Sequence, residues 1–222
     1  MADRTRDVLW ADAADIYRRI CAHPFVTGLA DGSLSRNRFG YYVGQDVHYL
    51  RGYARALDIC AAKAPDATDA AMFAEHAGQA ITAERQLHAG LLAELCPSAG
   101  DPESPPVAPT TQAYASYLLA TCHGGCYAEA VAAVLPCYWI YARVGERLRA
   151  RGSPDPLYRR WIEMYAGAQF REACDAVLAV TDRVGAQVSN QQLALMRRHF
   201  RTAARYEWMF WDAAYRMEDW PV

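Results

Sequence analysis

Apolar residues recur along this chain with a period near 3.6 almost throughout, and an alternation of period 2 is nowhere sustained. The pattern predicts seven main helices, at about residues 7–22, 35–62, 67–95, 110–122, 126–150, 155–182 and 189–218, the sixth broken near Gly167. Turn signals fall between them. Asp31-Gly32 precedes the second helix, Pro65-Asp66 ends it, Gly124-Gly125 separates the fourth from the fifth, and Gly152 to Pro156 ends the fifth. Ser189 with Gln192 three residues on has the form of a capping box at the start of the last helix. The longest irregular stretch, 96–109, holds Pro97, Pro102, Pro105, Pro106 and Pro109. Neither side of it has enough amphipathic faces to enclose a core alone. The expected architecture is therefore an all-α, multi-helical bundle forming a single domain over residues 1–222.

The informative positions are those that break the binary pattern. In the second helix the apolar stripe runs Phe39, Tyr42, Val43, Tyr49, Leu50, Tyr53, Leu57, and Asp46 falls in its middle. Spacings of four from Tyr42 and three to Tyr49 put the carboxylate on the aromatic face. The last helix repeats the anomaly: Glu207 sits in the stripe Leu193, Met196, Phe200, Ala203, Phe210, Ala214. A buried carboxylate needs a partner or a purpose. One acid alone reads equally well as structural or functional, whereas two converging among aromatics can divide acid and base roles. The fifth helix, with the stripe Tyr127, Ala130, Val134, Tyr138, Tyr141, Val144, Leu148, contains Pro136, which removes a bond to the carbonyl of Ala132 and should kink it. Cys137 follows, a thiol either packed inertly or open to a cavity as a nucleophile. Tyr114 and Tyr165 can reach the same cavity or serve as ordinary core.

Composition narrows the field. Of 222 residues 53% are hydrophobic and 22% charged, enough for a real core, and the net charge of −2 argues against a nucleic-acid partner held by bulk electrostatics. No run approaches a transmembrane span and the charged start Met1 to Asp7 does not suit a signal peptide, so a soluble, cytoplasmic protein away from the membrane is expected. Seven cysteines at wide spacings make a poor disulfide framework and read mainly as reduced packing residues. Cys122-His-Gly-Gly-Cys126 lacks a second ligand pair, and His76, Glu84 and His88 do not make the paired Glu-x-x-His of a di-iron bundle. No metal site is expected, and His76 and His88 read as structural or surface residues. Serine-hydrolase, phosphate-loop and dinucleotide fingerprints are absent.

Three separated motifs, in order and at matching spacing from about residue 15 to 220, resemble the TenA (thiaminase II) family. They are His23-Pro-Phe-Val-Thr-Gly-Leu-Ala-Asp-Gly-Ser-Leu34 with Phe39-Gly-Tyr-Tyr-Val-Gly-Gln-Asp46-Val-His-Tyr49-Leu50; Leu135-Pro-Cys137-Tyr-Trp-Ile-Tyr141 with Gly145-Glu146; and Tyr206-Glu207-Trp-Met-Phe210-Trp211 with Ala214-Tyr215-Arg216. The resemblance implies the haem-oxygenase-like fold without haem and a homotetramer. It implies hydrolysis of 4-amino-5-aminomethyl-2-methylpyrimidine to the 5-hydroxymethyl pyrimidine in thiamin salvage, with cleavage of thiamin as a second activity and no cofactor. It carries the nucleophile onto Cys137, the acid/base onto Glu207, the pyrimidine-binding carboxylate onto Asp46, and the pocket aromatics onto Tyr49, Tyr114, Tyr141, Tyr165 and Phe210. An oxidase on the same scaffold, and a non-catalytic regulatory or binding protein, are the alternatives. The intact trio Cys137, Asp46 and Glu207 counts against the second.

Overall fold

The structure, a computed structural model, describes residues 4–87 and 106–222. Among them are nine helices and no strand: α1 (Thr5–Cys21), α2 (Pro24–Asp31), α3 (Arg36–Lys63), α4 (Ala67–Leu87), α5 (Pro109–Gly124), α6 (Tyr127–Arg151), α7 (Pro156–Ala166), α8 (Ala168–Gly185) and α9 (Asn190–Arg216). The all-α reading holds, with one correction, and the break expected near Gly167 is found. The segment before Asp31-Gly32 is itself a helix, α2. Pro24 opens it at the first position, the His23 imidazole accepts from the Phe25 N–H at 3.1 Å, and Gly32 ends it at φ 78°. The break at Gly167 separates two helices, α7 and α8, with Gly167 extended at φ −68°, ψ 158°. The remainder of the helix expected over 67–95, and most of the stretch 96–109, lie outside the described residues.

Local chemistry explains the boundaries. Ser35 caps α3 through the Arg38 N–H, and Asp155 caps α7 through the N–H groups of Leu157 and Tyr158. The capping box at Ser189 and Gln192 opens α9 as the sequence predicts. α6 runs through Pro136 without interruption.

Two long helices organise the core. α3 packs against α4, α5, α6 and α9, while α6 also packs against α5, α7, α8 and α9. α1 closes the bundle over α8 and α9 with Leu9, Ala13, Ile16 and Ile20. α6 is buried on nearly every side from Ala128 to Pro136, so it is a central strut rather than a half-wet amphipathic helix. Close approach needs small residues at two of these crossings. A Cβ on Gly52 would lie 2.9 Å from the Ala115 Cβ of α5, and one on Gly145 would lie 2.8 Å from the Tyr165 carbonyl carbon at the end of α7. Both contacts bring site-bearing helices together.

Candidate active site

Where α3, α4, α6 and the α7–α8 junction meet, they enclose a cavity of about 800 Å³. Asp46 and Tyr49 line it from α3, Cys137 and Tyr141 from α6, and Tyr165 from the end of α7. Glu207, Tyr114 and Phe210, also expected at the site, are not among its lining residues. They form the layer behind it. Tyr114 stacks on Tyr49 with ring centroids 4.9 Å apart, Phe210 lies 5.6 Å from Tyr49, and the Tyr114 hydroxyl donates to Glu207 Oε1 at 2.7 Å. One aromatic column thus runs Tyr53, Tyr49, Tyr114, Tyr206 at centroid spacings of 5.5, 4.9 and 5.1 Å.

The two inward acids are both buried, Asp46 at 2% exposure and Glu207 at 1%, and they differ in their partners. Glu207 has the Tyr114 hydroxyl. Asp46 Oδ2 has no hydrogen-bond partner, nor has the Tyr49 hydroxyl, although both are buried at the cavity wall. Polar atoms buried without partners cost free energy, and at a cavity wall such an atom is free to be completed by a bound molecule; the other two among the described residues, Trp161 and Trp211 Nε1, do not line the cavity. Burial pushes the Asp46 carboxyl up to about 7. It pushes Glu207 up to about 8, against the Tyr114 hydrogen bond, which pulls the other way. The Cys137 thiol is held well above its ordinary range by burial and then by nearby Glu207, while the Tyr49 hydroxyl favours its ionisation. Near neutral pH the site therefore holds a neutral thiol, a largely protonated Glu207 and an Asp46 close to its midpoint. Such a set can pass protons in both directions.

The sequence reading missed part of the wall. His76, read as structural or surface, is buried on α4, lines the cavity and shares a 3.0 Å hydrogen bond through Nδ1 with the Tyr138 hydroxyl. Burial lowers its pKa, so it stands neutral. The signal was its place three residues after Phe73 and one before Ala77 on a buried stripe. Tyr53 and Tyr138 also line the cavity, and the Tyr53 hydroxyl donates to the Val134 carbonyl at 2.9 Å. Tyr42 shares a 3.2 Å bond with the Tyr141 hydroxyl and so fixes that ring from behind.

Of the cysteines, Cys60, Cys122 and Cys174 are core residues as expected. Cys21 and Cys126 are only half-buried, and Cys137 is half-buried because it opens onto the cavity. Among the described residues no group of three or more His, Cys, Asp and Glu is placed to hold a metal ion. The side chain of Glu84, with His88 and Cys96, lies outside the described residues.

Comparison with known proteins identifies the family and the fold. The chain is 35% identical over 208 residues to a protein of Bacillus subtilis named aminopyrimidine aminohydrolase, covering 94% of this chain and 88% of that one. A solved TenA homologue from P. horikoshii OT3 superposes with a TM-score of 0.84 at 28% identity, covering 96% of this chain and 99% of the other. A domain from Shewanella denitrificans, described as having a heme oxygenase-like fold, superposes at 0.75 with 12% identity over 98% of this chain and 94% of that one, a likeness of fold alone. A profile of the TENA/THI-4/PQQC family matches residues 10–217, and the chain belongs to that family.

Proposed function

We propose that the chain is a hydrolase of thiamin salvage that converts 4-amino-5-aminomethyl-2-methylpyrimidine to the 5-hydroxymethyl pyrimidine and ammonia, and that also cleaves thiamin to its pyrimidine and thiazole parts. The observation that carries this is the buried Asp46 carboxyl, its Oδ2 without a partner, facing a tyrosine-walled cavity that also holds the Cys137 thiol. An aminopyrimidine edge offers the donors and acceptor such a carboxyl lacks, and its flat ring suits stacking on Tyr49, Tyr141 and Tyr165. The relative named aminopyrimidine aminohydrolase supports the same reaction class.

The residues divide the work as follows. Asp46 hydrogen-bonds the ring edge, and its proton stabilises the ring nitrogen that gains negative charge as sulfur adds. As the Cys137 sulfur bonds to the ring carbon next to the substituted one, the thiol proton passes by way of Asp46 to the adjacent ring nitrogen, which breaks aromaticity and lets the ring electrons expel the amine from the methylene. Glu207, protonated near neutral pH and close enough to Cys137 to raise its pKa, gives its proton across the inner wall to the departing amine. As a carboxylate it then takes a proton from water adding to the exocyclic methylene, and loss of the sulfur, with the ring-nitrogen proton returning by way of Asp46 to the thiol, restores the ring. No cofactor takes part. Tyr114 and Phe210 hold Glu207 and Tyr49 in place from behind the wall. The family resemblance supports a cytoplasmic homotetramer.

An ammonia-release assay on the aminomethyl pyrimidine, run beside thiamin, tests the reading. Cys137→Ala is expected to abolish turnover while far-UV circular dichroism stays unchanged; turnover at the wild-type rate would overturn the covalent step. Glu207→Gln should lower kcat by roughly 10²–10⁴ with a much smaller change in KM. Equal loss in both would make Glu207 a binding residue.

A further inference from the structure

The cavity is larger than one small pyrimidine requires. Sites of roughly 300–1,000 Å³ hold ligands of drug size, and this one is about 800 Å³. Its inner end is the tyrosine and Asp46 wall already described. Its outer end has a different character. α4 contributes Glu75, His76, Gly78 and Gln79, and the α7–α8 junction contributes Glu163 and Gln169. Glu75 and Glu163 are both exposed, so they stand at the mouth, and the Gln79 side-chain amide donates to Glu75 Oε1 at 3.0 Å. His76 is neutral and occupied by Tyr138. With Asp46, the described lining carries three carboxyl groups and no Lys or Arg.

We propose that the outer half of the cavity is a leaving-group compartment in which Glu75 and Glu163 determine specificity, admitting neutral or cationic leaving groups and rejecting those that carry a phosphate. This rests on the hydrolase reading, which places the pyrimidine against Asp46 and Tyr49 at the closed end. The leaving nitrogen then stays on the Glu207 side of the inner wall, and the rest of a large leaving group extends toward the mouth. A phosphate ester there brings about −1.5 to −2 charges to a mouth lined by two exposed carboxylates and meets no arginine fork or ammonium among the described lining residues. Like charges at close range disfavour occupancy even in water, while a cationic ring or an ammonium gains from the same field. At the other end, the buried Asp46 Oδ2 without a partner is an independent sign that the cavity receives a ligand.

The decisive experiment compares kcat/KM for thiamin and for thiamin monophosphate. Wild type is measured beside Glu75→Gln/Glu163→Gln and Glu75→Lys/Glu163→Lys, with the aminomethyl pyrimidine as reference substrate for the wild type. Wild type should prefer the unphosphorylated substrate by about tenfold or more at low salt. The glutamine pair should narrow that ratio at least about threefold, and the lysine pair should narrow it further or invert it. Raising ionic strength from about 0.01 to 0.15 M shortens the screening length from about 30 to 8 Å and should also compress the wild-type preference. A ratio that is unchanged in both variants, or insensitive to salt, overturns the electrostatic assignment while leaving the hydrolase reading intact. A wild-type enzyme inert on the aminomethyl pyrimidine overturns both.

Discussion

An acid that is buried before it is needed imposes a cost on the folded state, and that cost has a definite pH dependence. Asp46 and Glu207 are raised in the fold to about 7 and about 8, from ordinary values near 4. Below the ordinary values both states are protonated and there is no penalty. Above them the unfolded chain ionises while the native site retains its protons, so stability falls as pH rises from about 4 to about 8. Glu207→Gln keeps an acceptor for the Tyr114 hydroxyl and removes the titration. It should be stabilising by about 1–3 kcal/mol at pH 8 and near neutral at pH 4, read as the shift in denaturant midpoint. Tyr114→Phe acts in the opposite direction on the acid. It removes the bond that lowers Glu207, so the Glu207 pKa rises and the alkaline limb of the rate profile moves to higher pH; an unmoved or lowered limb would break the link between Glu207 and that limb. Both acids were legible in sequence because a carboxylate in an apolar stripe contradicts the period around it. His76 was less legible: its place beside Phe73 and Ala77 pointed inward, but a histidine fits a core and a surface equally well, and the Tyr138 hydroxyl and the cavity beside it decide between them.

At the scale of elements the site depends on how closely α6 lies against its neighbours. Gly145→Ala would drive a methyl into the Tyr165 carbonyl and the Ala166 nitrogen, backbone atoms that cannot rotate away. It should destabilise by about 1–3 kcal/mol and raise KM through displacement of Tyr165, both measurable on the purified variant. Gly78→Ala is the contrast. Its Cβ meets nothing within 4 Å on α4, and the substitution should stabilise by about 0.5–1 kcal/mol. Long helices such as α3 and α9 were readable from their period, and the cap at Ser189 from its spacing. α2 was hidden because eight residues give barely two turns of pattern, and its boundaries come from an unusual histidine cap rather than from Ser, Thr, Asp or Asn. The all-round burial of α6 was hidden too, since alanines there look neutral until helices close on every side.

For the molecule as a whole, the ion pairs joining distant elements are mostly surface features. Arg197 with Asp12, and Arg201 with Asp15, link α9 to α1 through partly exposed side chains and contribute little. Cohesion comes from the continuous apolar core shared by the helices. We expect one cooperative thermal transition, with far-UV circular dichroism and tryptophan fluorescence coinciding; separate midpoints would show independently folding parts. The single core was foreshadowed by the lack of a self-sufficient half on either side of the Pro-rich stretch. Which aromatics meet was beyond the period, because contacts such as Tyr114 on Tyr206 depend on the angle at which two helices cross. That column of four tyrosines has an optical consequence. Rings stacked about 5 Å apart couple their ultraviolet transitions, and Tyr53 and Tyr49, at one end of the column, face the cavity. A flat chromophore settling on Tyr49 would add another oscillator to the column, so the protein carries its own unlabelled gauge of occupancy in the near-ultraviolet dichroism.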